Sequence, residues 1–165
     1  MKYEIIEEYW SRFKRTYDEN QEYVVGKELL TDLKKKVANL IDLGEVLELG
    51  CGTGYFTQVI VPNADHIFAT DLSEKLLDNA KERLRDNENI TFKIENCIDT
   101  SFSPKRFDTV FMANLIHVIE NPSKVLQECN RVLKDDGTLI ITSFTNFGMK
   151  ALEKLKLGML YKGLR

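Results

Sequence analysis

Short apolar runs alternate with amphipathic helical patterns along most of this chain, and that alternation constrains the fold more than any other feature. Glu45–Leu49, 66–70, Ile90–Ile94, 108–113 and 138–144 each read as a strand. Between them lie three helical patterns. The first, 55–61, is closed by Pro62. The second is capped by Ser73 and carries Leu76, Leu77, Ala80 and Leu84 on one face. The third is opened by Pro122 and carries Val125, Leu126, Cys129, Val132 and Leu133. Asp135-Asp136-Gly137 reads as a turn before the last strand. Strands that are apolar throughout and joined by helices belong to a parallel sheet buried on both faces. The expected fold is therefore α/β, a doubly wound, Rossmann-like parallel sheet.

Two helical patterns precede the first strand. Ile6, Trp10, Phe13 and Tyr17 share one face, as do Val25, Leu29, Leu33, Val37 and Ile41, each four apart, with Leu43-Gly44 ending the second. A last helical pattern follows the fifth strand. A length of 165 residues fits one domain. The expected layout is an N-terminal helical cap over 1–44 and an α/β core over 45–165, with no linker or internal repeat.

Charge and cysteine usage remove several function classes. Lys and Arg number 23 against 26 Asp and Glu, a net charge of −3, which argues against an extended phosphate-binding surface, so no nucleic-acid partner is expected. No run approaches the ~18 apolar residues of a membrane span, and neither a span nor a signal peptide is expected. Cys51, Cys97 and Cys129 are odd in number and far apart, and His66 and His117 stand at no metal-ligand spacing from them. Reduced thiols in a cytoplasmic protein, without a metal, are the expectation.

The segment Val46-Leu47-Glu48-Leu49-Gly50-Cys51-Gly52-Thr53-Gly54-Tyr55-Phe56 places a glycine loop at the carboxyl end of the first strand, where doubly wound sheets bind ligands. A dinucleotide fingerprint would put its third glycine where Tyr55 stands, so the pattern here is G-x-G-x-G. A smaller ligand carrying a carboxylate suits such a loop better than a pyrophosphate, and a nicotinamide-dependent oxidoreductase is disfavoured. Asp71 ends the second strand, about 20 residues beyond Gly50, where an acidic side chain accepts hydrogen bonds from ribose hydroxyls and repels a 2′-phosphate. After the third strand, Asn96 offers an amide, and the backbone N–H of Cys97 or Ile98 can bond an adenine ring nitrogen.

Taken in order, Glu48-Leu-Gly-Cys-Gly-Thr-Gly54, Thr70-Asp71-Leu72-Ser73, Phe107-Asp108-Thr-Val-Phe111 and Leu133-Lys-Asp-Asp-Gly-Thr-Leu139 resemble the class I S-adenosylmethionine-dependent methyltransferases. The likeness is to the small-molecule branch similar to ubiquinone and menaquinone biosynthesis methyltransferases, and it extends from about Tyr9 to Phe144. The resemblance implies S-adenosylmethionine as cofactor and a small-molecule acceptor. It implies that Glu48, Gly50, Cys51, Gly52 and Gly54 line the methionine half, that Asp71 holds the ribose, and that Leu72 packs on the adenine. Asn96, Cys97 and Ile98 then frame the adenine edge, Asn114 and Leu115 lie near the sulfonium, and Tyr17 closes over the methionine end. The family often has Asp where this chain has Asn96, and often Pro-Gly-Gly where it has Asp135-Asp136-Gly137.

Methyl transfer from a sulfonium needs alignment more than covalent catalysis, which accounts for the lack of a visible dyad or triad. His117, after the fourth strand, is the candidate general base. The family continues past its fifth strand with an antiparallel pair, whereas one helical pattern follows here. Residues 138–144 are apolar on both faces, without Lys or Pro, so the last helix, a missing C-terminal segment or a second copy in a homodimer is expected to cover that edge. The alternative to an enzyme is an S-adenosylmethionine-binding module that is non-catalytic or needs a partner.

Overall fold

A computed structural model describes residues 26–143. Tyr17, the aromatic stripe before it and the last helical pattern lie outside the described residues.

The elements follow in the order α1 (Lys27–Ala38), β1 (Glu45–Leu49), α2 (Thr57–Ile60), a 3₁₀ turn over Val61–Asn63, β2 (His66–Asp71), α3 (Glu74–Arg83), β3 (Ile90–Ile94), β4 (Phe107–Ala113), a second 3₁₀ turn over Ile116–Val118, α4 (Pro122–Val132) and β5 (Leu133–Thr142). The five strands form one sheet in the order β3-β2-β1-β4-β5, every neighbouring pair parallel. The chain winds outward from β1 to β3, then returns to the other side of β1 for β4 and β5. That reversal opens a crevice at the carboxyl ends of β1 and β4.

Side chains alternate across the sheet and build a core on each face. Val46, Ile67, Ala69 and Phe111 pack with Val37 of α1, Ile60 of α2 and Leu77 of α3. On the opposite face Leu47, Leu49, Val110 and Met112 pack with Val125, Cys129 and Val132 of α4. Ser73 caps α3, its Oγ accepting the Leu76 N–H at 3.4 Å. Burial on both faces holds for β1, β2 and β4. The outer strands depart from it: Ile94 on β3 is 52% exposed, and Leu139 and Ile141 on β5 are 36% and 40% exposed.

Three local expectations are corrected. The stripe spaced by four does not form the buried face of α1: Leu30 and Val37 are buried, while Leu29 is 54% exposed and Ile41, beyond the helix, is 71% exposed. A helix advances about 100° per residue, so each step of four overshoots by about 40°, whereas Leu30, Leu33 and Val37 stay on one side. The helix after the glycine loop is a single turn, and Pro62 sits inside the 3₁₀ turn that continues it. Proline is tolerated there because its missing N–H falls among the unpaired donors of a first turn. Finally, β5 begins at Leu133, within the predicted helical face, and ends at Thr142. Its register jumps from Phe107↔Leu133 to Thr109↔Thr138, so Asp135-Asp136-Gly137 sits in a bulge and not in a turn before the strand.

Candidate functional site

The carboxyl ends of β1, β2, β3 and β4 bring together most of the candidate residues. Cys51 N–H donates to the Thr70 carbonyl at 2.9 Å, and the Thr70 hydroxyl donates to the Glu48 carbonyl at 2.7 Å. These bonds tie the glycine loop to the end of β2. The loop then turns sharply, Gly54 N–H donating to the Cys51 carbonyl at 2.9 Å. Gly50 and Gly54 have φ of +70° and +76°. A Cβ on Gly50 would lie 3.0 Å from Leu115 Cδ1, and one on Gly54 would lie 2.9 Å from Leu84 Cδ1 and 3.3 Å from Ala80 Cβ. Both positions need the absence of a side chain as well as the left-handed backbone. The bare backbone at Gly54 lets α3 pack closely on the loop. A Cβ on Gly52 would meet nothing within 4 Å, so the middle of the loop faces open space.

Asp71 stands at the mouth of this loop. One carboxylate oxygen accepts the Gly52 N–H and the other the Ser73 N–H, each at 2.9 Å. Burial pushes its pKa up, and the N–H groups of Ser73, Gly52 and Leu72 only partly oppose that shift. Glu48 is buried beneath the loop and accepts the Thr57 hydroxyl at 2.7 Å. Burial raises its pKa to about 7 against the pull of that hydroxyl, and the nearby Asp71 adds to the rise. Cys51 is buried in the core, and desolvation followed by the charges of Glu48 and Asp71 drives its thiol pKa well up, which suits a packing role better than a nucleophile. Leu72 is half-buried between Asp71 and the α3 cap.

The corner after β3 is a tight turn. Asp99 N–H donates to the Asn96 carbonyl at 3.0 Å, and the Asn96 side-chain oxygen accepts the Ile98 N–H at 3.2 Å. That oxygen and that N–H are therefore engaged with each other inside the turn. Asn114 follows β4 with φ +56°, a left-handed conformation that asparagine tolerates, and its N–H donates to the Thr142 carbonyl at 2.8 Å. Leu115 follows it and lies against Gly50. His117 is exposed, with Nδ1 2.9 Å from the Ser143 hydroxyl, yet enough protein surrounds the ring to lower its pKa by desolvation.

Several contributing residues carry no sequence motif. Thr57 and Thr70 hold Glu48, and Arg83 of α3 donates to the buried Thr53 hydroxyl at 3.1 Å. Glu128 lies on the buried side of α4 between Val125 and Cys129 and reaches Thr100. A charged residue inside an otherwise apolar helical stripe was the available signal for Glu128. Among the described residues no group of three or more His, Cys, Asp or Glu can hold a metal ion, and no helix is long and apolar enough to cross a membrane.

Residues 47–141 match the model of a family described as the methyltransferase domain. A demethylmenaquinone methyltransferase of Tropheryma whipplei is 31% identical over 102 residues, 62% of this chain and 42% of that protein. A malonyl-[acyl-carrier protein] O-methyltransferase of Ilyobacter polytropus is 26% identical over 138 residues, 82% of this chain and 52% of that protein. The chain thus spans about half the length of these curated relatives. Phosphoethanolamine N-methyltransferase 1 of Haemonchus contortus, solved with phosphoethanolamine and S-adenosylhomocysteine, shares the fold. Its TM-score is 0.68 at 23% identity, covering 79% of this chain and 30% of that one.

Proposed function

We propose that this chain, which belongs to the methyltransferase domain family, is an S-adenosylmethionine-dependent methyltransferase acting on a small-molecule acceptor. The observation that carries the reading is the pairing of a glycine loop open at Gly52 with the Asp71 carboxylate at its mouth. Both Asp71 oxygens already accept a backbone N–H, and each keeps a second lone pair for a ribose hydroxyl. The residues present fit the cofactor. The open face of the loop at Gly52 takes the methionine half, Glu48 and Cys51 support it from beneath, and Gly50 with Leu115 and Asn114 borders the sulfonium. Leu72 packs on the base. Because the Ile98 N–H is engaged by Asn96, the Cys97 N–H is the donor to an adenine ring nitrogen. The role of Tyr17 at the methionine end rests on the sequence resemblance, since that residue lies outside the described residues.

When bound, S-adenosylmethionine supplies a methyl group on a sulfonium, open to in-line displacement. The chain's work is to align that group with the acceptor and to keep water away. Where the acceptor carries a proton, His117 takes it; its lowered pKa keeps the ring neutral and able to accept at neutral pH. The relatives named for a quinone precursor and a carrier-bound malonyl group support a small organic acceptor. The net charge of −3 is consistent with that class and disfavours an extended phosphate-binding surface. Three buried free cysteines suit a reducing cytoplasm.

Calorimetric titration tests the cofactor. S-adenosylmethionine and S-adenosylhomocysteine are expected to bind and NAD is not; the reverse pattern overturns the reading. Asp71→Ala is expected to weaken binding by about 1.5–3 kcal/mol, the scale of hydrogen bonds to a charged group. An unchanged affinity would remove Asp71 from the ribose role. Methyl incorporation into a defined RNA at physiological salt would overturn the acceptor class.

A further inference from the structure

The corner between β3 and Phe102 is held by charged side chains from two sides, Glu128 and Arg131 of α4 and Lys93 and Glu95 at the end of β3. One Glu128 oxygen accepts the Thr100 N–H at 2.8 Å, the Thr100 hydroxyl at 2.5 Å and an Arg131 N–H at 2.6 Å. The other accepts the Arg131 Nε–H at 2.8 Å. Arg131 also donates to the Phe102 carbonyl at 2.9 Å and the Thr100 carbonyl at 3.1 Å. At the other end of the turn, Glu95 accepts the Ser101 N–H at 3.0 Å and its hydroxyl at 2.5 Å, and pairs with Lys93 at 2.6 Å.

Residues 95, 100, 101 and 102 are thus each anchored by a charged group, and Asp99 is bonded back to Asn96. The apex, Cys97, sends its side chain into the α4-side core beside Cys129. Glu128 is 6% exposed and fully engaged. Burial alone would raise its pKa, yet the Arg131 guanidinium and the two Thr100 donors hold it down at about 2. So many bonds converging on one short turn fix its backbone before any ligand arrives, and preorganised donors discriminate more sharply than mobile ones.

We propose that Glu128, acting through Thr100, is the positioning residue for the base-reading corner, fixing the Cys97 N–H so that the site distinguishes adenine from a purine whose ring nitrogen carries a proton. This rests on the assignment of residues 96–98 to the adenine edge. Adenine N1 accepts a hydrogen bond. In hypoxanthine the same nitrogen carries a hydrogen, so a fixed N–H facing it loses its partner. A loosened corner can turn away and tolerate either base.

The test compares S-adenosylhomocysteine with S-inosylhomocysteine by calorimetry on the full chain. The wild-type protein is expected to prefer the adenosyl compound. In Glu128→Gln a single amide oxygen remains to serve Thr100, and the amide N–H₂ faces Arg131 without accepting from it. The preference is expected to fall about tenfold, chiefly through weaker adenosyl binding, with inosyl binding little changed. Thr100→Val, which keeps the backbone N–H and the side-chain shape, is expected to move the ratio the same way, and Thr100→Ser to restore it. If Glu128→Gln shows no melting transition, Thr100→Val decides. An equal loss for both ligands, or an unchanged ratio, overturns the positioning role while leaving the cofactor assignment standing. A wild-type protein that binds the adenosyl compound without preference overturns it too. One that binds neither nucleoside refutes the cofactor assignment itself.

Discussion

Glu48 is the residue on which folding stability and the candidate site meet most directly. It is 2% exposed, and its pKa is raised from the ordinary 4.5 to about 7, first by burial and then by Asp71, with the Thr57 hydroxyl in opposition. Between pH 4.5 and about 7 the folded protein keeps a proton that the unfolded chain has released. Stability from this group is therefore full below 4.5, falls as pH rises through that window, and levels off above about 7. The shift corresponds to about 3 kcal/mol at most. Glu48→Gln is expected to remove most of that decline, so the mutant's melting temperature should vary less than that of the wild type between pH 5 and 8. Equal slopes would show that Glu48 ionises normally. The position of Asp71 was legible in the sequence because it closes an apolar run at a strand's carboxyl end, and that of Glu48 because it opens the motif Glu48-Leu-Gly-Cys-Gly-Thr-Gly54 that carries the family resemblance. The engagement of Asn96 with Ile98 was not, because it depends on the geometry of the turn as much as on the residue types.

At the scale of elements, α1 shows how a regular spacing misleads. The residues spaced by four suggested a face through Leu29, but the helix buries Leu30 and Val37, with Leu33 packed against the same core. Leu30→Ala is expected to destabilise by about 2–5 kcal/mol, as for other fully buried leucines. Leu29→Ala is expected to stay within about 0.5 kcal/mol, as at other exposed positions. Urea unfolding of the two variants separates them; comparable losses would restore the spacing by four. β1 and β3 matched their expected bounds because polar or glycine residues close each run. β5 did not, because Asp135-Asp136-Gly137 has turn chemistry, and only pairing with β4 turns it into a bulge. Lys134 Nζ at 2.6 Å from Asp108 and Lys105 Nζ at 2.5 Å from Asp135 pin that bulge, contacts that no local pattern encodes. The one-turn α2 likewise depends on Pro62 being accommodated in the following 3₁₀ turn.

At the scale of the whole molecule, the alternation of strands and helices fixed the fold class, and the strand order β3-β2-β1-β4-β5 places the site at the crevice beside β1. The same order leaves β5 at one side of the sheet. It pairs with β4 through residues 138–142, and among the described residues no strand pairs with its other side. Leu139 and Ile141 are 36% and 40% exposed there, and the segment 138–142 carries no Lys or Pro. An open apolar edge is a template for another strand, and soluble proteins cover or blunt such edges. The bulge at 134–137 blunts the start of β5 but not the rest. We therefore expect this edge to be covered in solution by residues following Ser143 or by a second copy of the chain. Hydrogen exchange of the amides of residues 139–141 that point away from β4 distinguishes the cases. Slow exchange that persists on dilution places the cover within one chain, and slow exchange lost on dilution places it in a dimer whose affinity sets the protection. Rapid exchange in a stable monomer would show that the sheet ends at β5 with its edge open to water, and would overturn the expectation.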